Sequence, residues 1–297
     1  MVTRRTFLGM TAAGGFAFLG LGSYAFAIEP LFRLRVQSYR LRPPGWPADG
    51  RRLRVAAIAD LHACEPWMAL PRIEEIVRVT NALEPDVVVL LGDYVAGLRR
   101  FRTAVVPADV WGGALAQLKA PLGVHAILGN HDWWTDVDGV RRALAARGIP
   151  VMENEARLLR PVDGPAFWLA GLGDQIAYRL GEGRFRGVDD LPGTLAAIPD
   201  DGAPIVLLAH EPDIFPQVPA RVGLTLAGHT HGGQIALPLI GRPVVPSAYG
   251  DRYAYGHIFE DGRHMIVSGG LGCSILPVRF GVPPEIVVVD LGGADAA

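Results

Sequence analysis

The chain has 297 residues, of which half are hydrophobic; 28 basic and 30 acidic side chains give a net charge of −2, and there are two cysteines. That length holds one large α/β domain or two small ones. The composition excludes a disordered chain, a disulfide-stapled small scaffold and a nucleic-acid binder working through bulk positive charge.

At the N-terminus, Arg4-Arg5 precedes a Gly- and Ala-rich run, residues 6–28, that carries no charged side chain. Paired arginines ahead of such a stretch resemble a twin-arginine export signal, and Ala25-Phe26-Ala27 has the small-x-small pattern of a signal peptidase site. Residues 1–27 therefore read as a signal peptide or a retained anchor, since residues 6–28 are long enough to span a bilayer as a helix. The expected location is the outer face of the cytoplasmic membrane, the periplasm or the cell wall. The export machinery is an expected partner and the membrane surface a candidate one. Beyond this segment no apolar run is long enough to cross a membrane.

Residues 28–53 read as an edge strand and a proline-rich lead-in. From Arg54 a rhythm of short, β-branched apolar runs begins, each stopping at Gly, Asp, Asn or His. The predicted strands are 53–59, 87–91, 124–128, 167–170, 205–209, 224–227, 264–267 and 285–290, and the early ones are apolar on both faces, as central strands of a covered sheet are. Residues 72–83 place Ile73, Ile76, Val77 and Leu83 on one helical face. Thr135 or Asp136 can cap a helix that turns Val140 and Leu144 inward. Residues 213–218, broken by Pro216, predict a short helical turn. Residues 54–291 form one expected domain, with 292–297 as a tail.

Five of the central runs end in polar residues: Asp60 and His62, then Gly92-Asp93, Gly129-Asn130-His131-Asp132, His210-Glu211, and Gly228-His229-Thr230-His231. Ligands of open α/β sheets bind beyond the carboxyl ends of the strands, so these side chains are aimed at one edge. Asp60/His62 and His229/His231 are i, i+2 pairs that point the same way in extended chain, about 6–7 Å apart. All the donors are oxygen or imidazole nitrogen, which suits Mn, Fe or Zn rather than a thiolate-rich structural zinc. Asp60, His62, Asp93, Asn130, His210, His229 and His231 are too many ligands for one ion. Two divalent metal ions sharing a carboxylate is the economical reading.

These motifs, in this order, resemble the signature of the calcineurin-like metallophosphoesterases, over nearly all of the chain from Arg54 onward. The stretch from His229 to Gln234, with Pro277-Val278-Arg279 and Pro284-Glu285-Ile286, resembles a narrower subgroup of twin-arginine-exported or membrane-associated phosphoesterases related to UDP-2,3-diacylglucosamine hydrolases. The resemblance implies a four-layer α/β/β/α sandwich with two mixed sheets and a dinuclear site at the strand ends. It implies one ion held by Asp60, His62, Asp93 and His231, and a second by Asp93, Asn130, His210 and His229. A metal-bridged hydroxide would attack phosphorus, with His131 as general acid. The expected substrate is a small-molecule or lipid phosphoester of the UDP-2,3-diacylglucosamine type. A broad-specificity phosphomonoesterase or phosphodiesterase is the alternative, and a non-catalytic metal-binding protein the rival.

One departure concerns the third and fourth positions after Asp93. Some branches of the family carry Asp and Arg there; here they are Ala96 and Gly97, which argues against a protein Ser/Thr phosphatase. It leaves open what orients His131, with Asp132 as a candidate. Arg279 is a candidate phosphate contact or a structural ion pair. Tyr253, in a loop that also carries Tyr249 and Tyr255, is a candidate for the substrate rim. Arg99, Arg100 and Arg102 either meet an anionic substrate or face solvent, and 178–190 reads as an exposed insertion. Glu211 reads as a neighbour that fixes a ligating imidazole. Cys64 and Cys273 read as isolated thiols.

Overall fold

The computed structural model describes residues 19–47, 52–95, 98, 101 and 103–293. The twin-arginine motif at Arg4-Arg5, the Ala96-Gly97 departure, Arg99, Arg100, Arg102 and residues 294–297 lie outside the described residues.

Two mixed sheets stack face to face. The first has strands β1 (Arg35–Leu41), β2 (Leu53–Ile58), β3 (Val87–Leu91), β4 (Val124–Ile127) and the C-terminal Glu285–Leu291. The second has β5 (Glu155–Leu159), β6 (Phe167–Gly171), β7 (Ile205–Leu208), β8 (Leu224–Ala227), β9 (Gly256–Glu260) and β10 (Arg263–Val267), so the C-terminal strand is β11. Their orders are β1-β11-β2-β3-β4 and β9-β10-β8-β7-β6-β5. In the first sheet β2, β3 and β4 run parallel, and β11 lies antiparallel to β2 with Val289 opposite Val55. In the second, β6, β7, β8 and β10 are parallel, while β5 and β9 are antiparallel edges.

The period-2 alternation of each strand makes the layers. Val55, Ala57, Val87 and Val89 face Leu169, Val206, Leu208 and Leu226 in a core between the sheets. Their neighbours Ala56, Ile58, Val88 and Leu90 point the other way, onto three helices: α1 (Leu70–Ala82), α2 (Ala108–Leu115) and, beyond the short α3 (Asn130–Thr135), α4 (Val137–Ala145). Ile73, Ile76, Trp111, Val140 and Leu144 form that outer layer. On the far side Leu207, Ala227, Met265 and Val267 pack on α5 (Leu191–Ala196) and the 3₁₀ turn Pro212–Gln217. The result is the α/β/β/α order expected, with each fully buried Leu, Ile or Val supplying about 1.5–3 kcal/mol of transfer free energy.

The edge strands β5 and β9 and the helix α2 were not among the predicted elements. β5 and β9 are half-exposed; β5 interleaves Glu155 and Arg157, and β9 (Gly-His-Ile-Phe-Glu) offers only a short apolar pair, which hides the runs. Residues 178–190 contain an exposed hairpin, Tyr178–Gly181 with Arg184–Arg186. Asp136, not Thr135, caps α4 by accepting from the Gly139 N–H at 2.9 Å. Cys64 and Cys273 are buried free thiols.

Candidate metal centre

The parallel strands deliver the polar residues to one place. Asp60 and His62 follow β2, Asp93 follows β3 and Asn130 follows β4, all from the first sheet; His210 and His229 follow β7 and β8 of the second. A hydrogen bond closes the gap between the sheets, His229 N–H donating to Asp60 Oδ1 at 2.9 Å, while within the first sheet His62 N–H donates to Asp93 O at 2.9 Å. Asp60, His62, Asp93, His229 and His231 all adopt positive φ, between 46° and 68°. Left-handed backbone costs a side-chain-bearing residue energy, and it gathers where function over-determines the conformation. Between them, Gly129 is obligatory, because a Cβ there would lie 2.4 Å from Asp93 Oδ1 and 2.6 Å from His210 Cε1.

The side chains converge in two sets. Ligand atoms of Asp60, His62, Asp93 and His231 lie within 4.8 Å of one another, as do those of His210, Glu211 and His229. Asp93 Oδ2 sits 3.4 Å from both His62 Nε2 and His210 Nε2, which places this carboxylate between the sets. Asn130 Oδ1 is 2.9 Å from His229 Nδ1 and 3.2 Å from His210 Nε2. His62 Nδ1 donates to Val95 O at 2.8 Å and His210 Nδ1 to Leu91 O at 2.6 Å. A carbonyl only accepts, so each ring carries a proton on Nδ1 and turns Nε2 inward. Burial acts to lower the His210 pKa, but the Asp93 carboxylate beside it holds it well above the ordinary histidine value.

The donor set fits divalent cations. Burial lowers the pKa of His62 to about 3, and burial first, then the neighbouring His62 and Arg279, holds His231 well below the ordinary histidine value. Neutral imidazoles with convergent lone pairs are metal ligands. Burial also acts to raise Asp93, but His210, His131 and His62 around it hold its carboxyl well below the usual range. Asp60 Oδ2 is a buried acceptor without a hydrogen bond, and His62 Nε2 and His231 Nε2 stand 3.0 Å apart. A cation between such atoms satisfies them all, and O/N donors of this kind suit Mn, Fe or Zn.

His131 lies in the first turn of α3, and its backbone N–H donates to Asp93 Oδ1 at 2.8 Å. Its Nε2 lies 3.2 Å from Ser274 Oγ. Asp132 does not act on this imidazole in the way considered above. Its buried carboxylate accepts from the backbone N–H of Asp93, Tyr94 and Gly129, each at 2.9 Å, and so fixes the turn that presents Asp93.

Two expected substrate contacts sit elsewhere. Tyr253 is buried, donates to Glu260 Oε2 at 2.9 Å and packs edge-on against Phe215, because the loop folds it into the outer core of the second sheet. Arg279 is fully buried and makes neither a phosphate-facing contact nor the expected carboxylate pair. Its guanidinium donates to the carbonyls of Gly272, Gly269 and Val282, and Nη2 lies 3.2 Å from His231 Nδ1. It clamps the turn at 269–272, which packs against Asp60 and His62.

A cavity of about 350 Å³ opens on Asp93, Asn130, His131, His229 and His231. Ile235, Val244, Ile275, Leu276 and Val278 form an apolar wall, and Trp134 stands opposite. Arg179 lies 3.5 Å over the Trp134 ring and Phe185 stacks on it, so the 178–186 hairpin roofs this side. A larger groove of about 640 Å³ between α1 and α2 lies away from the ligands. Ser274 and Trp134 were not foreseen, since neither belongs to a strand-end motif.

Fold and site together define a metal-dependent hydrolase of phosphoesters. Residues 53–233 match the family model described as Calcineurin-like phosphoesterase, and the chain belongs to that family. It is 32% identical over 298 residues to the uncharacterized metallophosphoesterase YkuE of Bacillus subtilis, covering 98% of both chains. It is 28% identical to the phosphodiesterase YaeI of Escherichia coli, over 98% of this chain and 100% of that one. The NAD nucleotidase of Haemophilus influenzae shares the fold, with a TM-score of 0.50 at 14% identity over 75% of this chain and 51% of that one.

Proposed function

We propose that the chain cleaves a phosphoester or phosphoanhydride bond in a substrate that also carries an apolar group, a lipid-linked or nucleotide-sugar species of the UDP-2,3-diacylglucosamine type. The observation that carries this reading is the cavity itself. Asp93, Asn130, His229 and His231 of the ligand set line it, together with the apolar Ile235, Val244, Ile275, Leu276 and Val278. A site built for a bare phosphomonoester has no use for such a wall.

Asp60, His62, Asp93 and His231 would hold one divalent ion, and Asp93, Asn130, His210 and His229 a second. Bound ions supply Lewis-acid activation of water and of the phosphoryl group. The chain's own contribution is orientation and proton transfer. Asp93 is held by the Asp132 turn, and its Oδ1 fixes the backbone of His131. His131 Nε2 meets Ser274 Oγ at rest and, when protonated, would give its proton to the leaving oxygen during cleavage, a general-acid role.

The test is a matched pair of phosphodiesters with and without acyl chains. The acylated member should show at least about tenfold higher kcat/KM, since a filled apolar pocket discriminates by that order. Equal values would overturn the apolar-substrate reading. They would favour the broad-specificity alternative. We also read Arg4-Arg5 as an export signal placing the chain at the outer membrane face. Replacing both by lysine should block export, and unchanged export contradicts the signal.

A further inference from the structure

Three segments are joined beside the metal-side cavity, which Ile275 lines directly, and each carries exposed apolar side chains. Residues 19–32 turn Leu21, Phe26 and Phe32 outward; the turn at 237–241 exposes Leu239 fully and Ile240 at 72%; and Ile275 is 64% exposed. These segments form one continuous surface. The Tyr24 ring packs edge-on against Phe280, and Ala25 O accepts from Arg279 N–H at 2.9 Å. Phe280 O accepts from Ala236 N–H, and Gln234 joins the two loops by donating to Leu276 O and accepting from Ser274 N–H. Val244, Ile275 and Leu276 carry the apolar surface from this rim down the cavity wall to the ligands.

Charge narrows the occupant. Residues 6–28, 235–250 and 274–284 contain no acidic side chain; their basic ones are Arg242 and the buried Arg279. Apolar side chains on projecting loop tips, with no acid among them, suit insertion between headgroups better than the flat, tightly matched face of a protein partner. The sequence that precedes and enters the rim, residues 6–28, carries no charge, which a bilayer accepts more readily than water does. Among the described residues no helix is long and apolar enough to cross a membrane.

We propose that the cavity mouth is a bilayer-docking surface, with Leu239, Ile240 and Ile275 inserted among lipid chains and the ligand cavity facing the membrane. This goes beyond the hydrolytic reading and does not depend on it.

The experiment uses the full chain with Ile240→Cys carrying an environment-sensitive fluorophore. Val162→Cys is the control: it is 96% exposed and lies near Leu53 and Asp86, at the strand ends opposite the ligands. The native cysteines are buried. Both labelled chains are mixed with vesicles of phosphatidylglycerol and phosphatidylethanolamine, and matching thermal unfolding to the unlabelled chain verifies their fold. The fluorophore at 240 should shift to the blue and lose at least half its intensity to lipids brominated along the acyl chain, while that at 162 is unaffected. Because residues 1–18 precede the rim and could hold the chain on vesicles by themselves, depth at 240 decides the matter. Equal behaviour of the two labels on vesicle-bound chain would overturn the proposal, as would no vesicle binding. A blue shift at 240 that depends on protein concentration without lipid would assign the rim to a second copy instead, and also overturn it.

Discussion

Ser274 Oγ stands 3.2 Å from Nε2 of His131, across 143 residues of sequence. The serine itself is placed by Gln234, whose Oε1 accepts the Ser274 N–H at 2.6 Å. The hydroxyl therefore sits where a leaving-group oxygen would take the imidazole proton. Ser274→Ala should lower kcat about tenfold with KM little changed, and His131→Ala should lower it about 10²–10⁴-fold. Both losses should be larger for an alkyl phosphodiester than for a p-nitrophenyl ester, whose good leaving group needs less proton donation. Equal losses on the two substrates would assign both residues to binding.

Asp132 supports three buried backbone donors, those of Asp93, Tyr94 and Gly129. Leaving a buried donor unsatisfied costs about 1–3 kcal/mol each. Asp132→Ala should therefore destabilise the fold by at least about 2 kcal/mol in denaturant unfolding. A loss below about 0.5 kcal/mol would show that the turn holds Asp93 without it.

Arg279 spreads one planar guanidinium over three carbonyls and an imidazole. Lysine is a single point charge and cannot reproduce that fork. Arg279→Lys should leave the chain folded and weaken one of the two metal affinities about tenfold or more, the scale of losses from groups that orient ligands. Calorimetric titration that finds both affinities unchanged would reduce Arg279 to a packing role.

Asp174 and Glu211 are neighbouring buried carboxyls beside His210, and Asp174 Oδ2 and Glu211 Oε1 have no hydrogen-bond partner, which a proton held on Asp174 would supply. Burial first, and then the Glu211 charge, pushes the Asp174 pKa up to about 10. The unfolded chain loses this proton near the ordinary value of about 4, while the folded chain keeps it. In that window the unfolded state binds fewer protons, so stability falls as pH rises from about 4 to about 10. Asp174→Asn keeps a donor for Glu211 and removes the titration. Its melting temperature should decline less between pH 5 and pH 9 than that of the unsubstituted chain, and a parallel decline would refute the shared proton.

The ligand set was legible because each member follows an apolar, β-branched run. Val87 to Leu91 announces Asp93, and Leu224 to Ala227 announces His229 and His231. The four layers came from the family resemblance, since runs apolar on both faces announce covered strands but not what covers them. What escaped is of another kind. Arg279 acts on main-chain carbonyls, which leave no mark in side-chain identity. Ser274 meets His131 only through the folding of a loop that follows a glycine-rich turn. Tyr253 shows the reverse error: an aromatic in a polar loop reads as a rim residue, yet its ring fills the outer core and its hydroxyl finds Glu260. The strand β5 reads Glu-Ala-Arg-Leu-Leu, in which charges on an exposed edge interrupt the pattern.

Metal content and turnover on the same sample test the two-ion phosphoesterase most directly. The purified chain is stripped with chelator, refilled with Mn²⁺, and assayed on bis-p-nitrophenyl phosphate beside Asp93→Asn. Stripping should abolish hydrolysis, refilling should restore it together with two ions per chain, and Asp93→Asn should stay folded while losing both ions and turnover. Full hydrolysis by the stripped chain, or two tightly held ions and undiminished turnover in Asp93→Asn, would contradict a dinuclear centre bridged by this carboxylate.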